Sequence, residues 1–193
     1  MNKNIPKGRD IMQKNYAHKL VTAALFLNLG LVLPFFTFNI PQFGAIWLPM
    51  HLPVLLCGLI VGWKYGLVVG LILPVLRFFM VGHPPFPIPG IPMTFELAVY
   101  GAIIGLLYAR LPKNLFTLYV SLVGAMLAGR AINAAAQVVM VGLTEHVFAW
   151  QAFMTAVFVT SLPGIILQII FIPALILVLK KAGWTDGLST NAR

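Results

Sequence analysis

LPMHLPVLLCGLIVGWKYGLVVGLILPVLR, residues 48–77, decides how the rest of the chain is read. It carries most of two apolar runs, at 46–63 and 65–81, with Lys64 the only charge between them. A helix rises ~1.5 Å per residue and needs ~20 apolar residues to cross ~30 Å of hydrocarbon. Runs of this length joined at one lysine predict a tight helical hairpin through a bilayer. The stretch ends on Arg77, a charge inside the second run. Such a charge is costly unless it faces protein, water or ligand.

Outward from the hairpin, further apolar runs lie at 20–38, 91–109, 115–141 and 147–179, which makes six spans. The last exceeds a simple crossing, and Pro163, Gly164 and Pro173 predict kinks in it. The whole chain is 60% hydrophobic and only 9% charged, far from the roughly quarter-charged makeup of soluble domains. The expectation is an all-α integral membrane protein, a six-helix bundle forming one transmembrane domain over 1–193. The single cysteine, Cys57, excludes a disulfide framework and a cysteine-based metal site. The polar segment 1–19 has no signal-peptide cleavage pattern after its first span, so that span is read as retained.

Eleven of the thirteen Lys and Arg residues fall on one side of these spans. Segment 1–19 holds Lys3, Lys7, Arg9, Lys14 and Lys19. Lys64 marks the second-to-third turn, Arg110 and Lys113 the fourth-to-fifth, and Lys180, Lys181 and Arg193 the tail 180–193. The alternate loops, 39–45, 82–90 and 142–146, have none. Cytoplasmic loops collect Lys and Arg, so both termini are expected in the cytoplasm of a cell (plasma) membrane protein. The net charge of +9 follows from this bias and from anionic headgroups, without nucleic acid.

The outer loops have a character of their own. Residues 82–92 read GHPPFPIPGIP, a run expected to be non-helical, stiff and extended. The first outer loop carries Pro41 and Gly44. Both fit ordinary turn chemistry, and both fit lids over a site open to the outside. Gly58 and Gly62, Gly66 and Gly70, and Gly101 and Gly105 each stand four apart, a spacing that lets helix backbones approach closely in lipid.

Five polar side chains at membrane depth define the candidate site, with a sixth charge beside it. His51, Arg77 and Glu96 sit four or five residues inside the outer ends of their spans, roughly 6–8 Å deep. Arg130 lies nearer mid-membrane, and Arg130, Asn133 and Gln137 share one helix stripe by their i, i+3, i+7 spacing. One account is a structural ion pair, with Glu96 neutralising Arg77 or Arg130. The other notes that two arginines against one glutamate leave positive charge, which a small anion such as a carboxylate would complete through the planar Arg fork. Trp47, Phe95, Tyr100 and Trp150 are candidate pocket walls or members of an interfacial aromatic belt. His51 has no second His or Cys at ligand spacing, so no metal is expected.

Enzyme signatures are missing: there is no phosphate loop, HExxH or GxSxG, and only Glu96 among the four acidic residues lies within a span. A proton-coupled carrier relayed by Glu96, or a small intramembrane enzyme, stands as the alternative of another class. The chain shows no internal inverted repeat of the carrier type.

Residues 48–77, the Pro-rich loop and MTFELAVYGAIIGLLY (93–108) resemble the substrate-binding (S) components of energy-coupling factor vitamin transporters, most closely the group with pantothenate and folate. The resemblance covers all six spans. It implies a six-helix bundle with a vitamin site near the extracellular face. It also implies docking to a transmembrane coupling subunit with two cytoplasmic ATPases, which hydrolyse the ATP while this chain carries no cofactor. In that family the first helix presents an Ala-xxx-Ala surface to the coupling subunit. Here Ala24 is followed four residues on by Asn28 and Ala23 by Leu27, so Ala23, Ala24 and Asn28 are the implied contact residues. Pantothenate, with one carboxylate, an amide and hydroxyls, suits an Arg130, Asn133 and Gln137 site. Folate would engage both arginines, and other vitamins stay open.

Overall fold

The computed structural model describes residues 8–37, 46–143 and 155–181. Among them every regular element is helical. The elements are α1 (Gly8–Val32), continuing into a 3-10 turn (Leu33–Thr37), α2 (His51–Ile60), α3 (Trp63–Val81), α4 (Gly90–Arg110), α5 (Leu115–Leu143) and α6 (Leu162–Lys181). A π-helical turn (Thr155–Thr160) leads into α6. Among the described residues five helices are long and apolar enough to cross a membrane: Tyr16–Phe35, Trp63–Val81, Gly90–Arg110, Leu115–Gly142 and Leu162–Lys181.

The deciding hairpin forms, but its first arm is shorter than the run at 46–63. Helix α2 has 10 residues, about 15 Å by rise, and nearly all of it is buried. Leu48 takes a left-handed φ of 49°, and Pro49 disfavours a helical residue before it, so the helix cannot extend backwards. His51 N–H instead donates to Leu48 O at 3.1 Å in a turn. At the other end the chain reverses at Gly62, not at Lys64. Gly62 has φ 117°, a conformation glycine alone adopts readily, and Lys64 already lies in the first turn of α3.

Glycines then draw α2, α3 and α4 together. A Cβ on Gly66 would stand 2.7 Å from Gly58 Cα and 2.6 Å from Gly101 O, and one on Gly105 would stand 2.7 Å from Gly58 O. Gly70 lies against the backbone at Leu97 and Ala98. Five of the six glycines read from the sequence spacing therefore sit at backbone-to-backbone contacts, while Gly62 makes the turn. Around this seam the core gathers Leu55, Leu73, Leu97, Tyr100, Ile104, Leu118, Leu122 and Ile172.

The Pro-rich loop is folded, not extended. Gly90 N–H donates to Pro85 O at 2.9 Å, Ile91 to Pro87 O and Met93 to Pro89 O at 3.0 Å. These bonds wind the loop directly into α4, so Gly90 to Pro92 are helical. Phe86 packs on Phe78 with ring centroids 4.9 Å apart and covers Gly90. The long final run likewise divides: a turn at Ser161 precedes α6, Pro163 sits in its first turn and Pro173 inside it.

Candidate functional site

Each candidate side chain of the network is delivered by a helix end or a helix stripe. His51 opens α2, Glu96 stands in the second turn of α4, and Arg130, Asn133 and Gln137 follow one stripe of α5. The α4–α5 hairpin holds those two helices in register. Its turn is capped by Asn114, whose Oδ1 accepts from Thr117 N–H at 2.8 Å. Closer to the site, Gly129 lets the Tyr100 ring lie directly against the α5 backbone.

A hydrogen-bonded chain results. Gln137 Nε2 donates to Asn133 Oδ1 at 2.8 Å, and Asn133 Nδ2 donates to Glu96 Oε2 at 2.6 Å. On the far side of the carboxylate, His51 Nε2 stands 3.9 Å from Oε1. His51, Glu96 and Asn133 are buried at 2%, 7% and 6% exposure, so water does little to screen them. Tyr100, fully buried, meets the His51 ring edge-on at 5.3 Å and lies in the field of both Glu96 and Arg130. Arg130, buried as well, donates from Nη2 to Ser161 Oγ at 3.0 Å. The network thus joins α2, α4, α5 and the turn before α6.

The two arginines are held by different partners. Arg77 Nη1 donates to Leu31 O at 3.3 Å, and its guanidinium lies 5.8 Å from the Phe35 ring. These contacts tie α3 to α1. Arg130, by contrast, stands near Glu96. Of the two arginines, Arg130 is therefore the one beside Glu96, with the His51 ring on the other side of the carboxylate.

The aromatic candidates divide by burial. Tyr100 is inside the network, whereas Trp47 and Phe95 are 42% and 49% exposed. Trp150 and the first outer loop (39–45) lie outside the described residues. On α1, Ala23 is buried in the bundle's own core, while Ala24 and Asn28 are exposed, with Asn28 Nδ2 donating to Ala24 O at 2.8 Å. Sequence reasoning missed Ser161, the acceptor for Arg130, and Gln168, a fully buried carboxamide in α6. The rule that found Gln137, a polar side chain inside an apolar run, would also have found Gln168.

The described residues form a bundle of apolar helices long enough to cross a membrane, enclosing a buried polar network of charged groups and amides. The family model described as "ECF transporter, substrate-specific component" matches residues 18–176, and the chain belongs to this family. The family is a class of transporter component, not of enzymes. No curated protein and no solved structure matches the chain.

Proposed function

We propose that the chain is the vitamin-capturing subunit of its transporter, binding a B-type vitamin from the extracellular side. The observation that carries this reading is the chain Gln137–Asn133–Glu96–His51 with Arg130 beside it. It lies where α2 and α4 begin, the end that the Lys and Arg count assigns to the outside. In the same orientation both termini are cytoplasmic, and α2 with its flanking segments serves as a sixth crossing in one transmembrane domain. The chain binds no ATP and carries no cofactor. A coupling subunit and two ATPases supply the energy, with exposed Ala24 and Asn28 on the docking helix.

Pantothenate is the first substrate to test. Its single carboxylate matches one arginine at the network, and its amide and hydroxyls match Asn133 and Gln137. Folate, with two carboxylates, finds Arg77 already engaged with α1. Calorimetry of the purified chain against a panel of B vitamins tests the reading. Saturable binding of pantothenate is expected; binding of another vitamin instead reassigns the substrate. Accumulation by the isolated chain under a proton gradient, without ATPases, would replace a binding subunit with a carrier relayed by Glu96.

A further inference from the structure

Helix α6 and the turn before it present a buried face of which the network above uses only Ser161. Ser161, Gly164, Gln168 and Ile172 follow i, i+3, i+7 and i+11, and all four are buried. Ser161 accepts from Arg130. Gly164 lies under the backbone of the segment leading into α2, where a Cβ would stand 2.6 Å from Ile46 O. Gln168 is one turn further along the same face, about 10 Å along the axis from Ser161. It has 0% exposure, and among the described residues neither its Nε2 nor its Oε1 has a hydrogen-bond partner.

A carboxamide presents a donor and an acceptor side by side. Burying both unmade in the middle of an apolar bundle is unfavourable, and neither lipid headgroups nor bulk water reach this position. His51 Nδ1, at the start of α2, is likewise buried with no hydrogen bond among the described residues. Polar atoms held ready in a dry site are a binding element when a ligand brings the matching groups.

We propose that Gln168 is the floor of the ligand site and selects for an adjacent donor and acceptor on the ligand, as in a lactam or ureide edge or the carbonyl and neighbouring hydroxyl of an α-hydroxy amide. This rests on the binding-subunit reading and adds the ligand chemistry to it. Arg130 and the Asn133–Gln137 stripe hold one end of the molecule, and Gln168 reads an amide-type edge at the other.

The test compares wild type with Gln168→Leu, which keeps a similar volume without the polar atoms, and with Gln168→Glu. Each is titrated by calorimetry with pantothenate, biotin and folate, which carry such an edge, and with nicotinate and pyridoxine, which do not. Thermal unfolding is measured on the same samples without vitamin. Gln168→Leu should unfold at the wild-type temperature or above it, while losing at least tenfold in affinity for whichever edge-bearing compound binds wild type. Gln168→Glu should lose affinity too, since the paired donor is gone. Unchanged affinity in folded Gln168→Leu overturns the inference, as does a large drop in its unfolding temperature, which would mark a structural amide. Wild-type binding of nicotinate or pyridoxine alone overturns the amide-edge class. If no vitamin binds wild type, the binding reading itself falls, and this inference falls with it.

Discussion

Arg77 and Arg130 show how much a residue's partner matters. Both are 6% exposed and both interrupt apolar helices, yet one ties α3 to α1 through Leu31 and Phe35 while the other sits by Glu96 and Ser161. In the proposed site the second is the one that would meet a ligand carboxylate. Arg130→Ala is accordingly expected to lose roughly 2–5 kcal/mol of vitamin binding, the range for truncating a buried charged partner. Arg130→Lys should lose part of that, because a point charge replaces a two-pronged planar donor. Melting temperature and dissociation constant are to be measured on the same variants. A lowered melting temperature with unchanged affinity would make Arg130 a strut between α5 and the turn at Ser161.

At the scale of the helices, stability rests on backbones in contact. Leu, Ile and Val cannot drive association in lipid as they do in water, because the surrounding tails are equally apolar. Close approach at Gly58, Gly66, Gly70, Gly101 and Gly105 supplies dispersion contact instead. Gly101→Ala places a methyl group against the Gly66 carbonyl, and backbone cannot move aside as a side chain can. A loss of about 1–3 kcal/mol is expected, read as a lower thermal midpoint in detergent. Gly142→Ala is the matched control. Among the described residues a Cβ there meets nothing within 4 Å in a helix, so the midpoint should hold or rise. Equal losses at both positions would mean that the contact with the Gly66 backbone does not set the effect, since helix propensity alone favours alanine.

For the whole molecule, the open question of orientation has a direct readout. Lys64 is exposed at the start of α3, its Nζ 5.6 Å from the Trp63 ring. In Lys64→Cys cells, after masking of Cys57 by replacement, an impermeant thiol reagent should label only inverted membranes. Labelling from outside would reverse the bundle and move the Glu96 network to the cytoplasmic half. The long apolar runs, the lysine bias and the Arg130–Asn133–Gln137 stripe were all legible in the linear chain, because hydropathy and helical period are properties of neighbours in sequence. So were His51 and Glu96 as buried polar residues at one level. The 10-residue length of α2 was hidden, since it depends on the backbone at Leu48 and Gly62 more than on apolar content. The separate partners of Arg77 and Arg130, the bond to Ser161 and the dry setting of Gln168 were decided only by the fold. Each depends on which helix faces meet across the bundle, and residues 31 and 77, or 130 and 161, are neighbours only in the closed bundle.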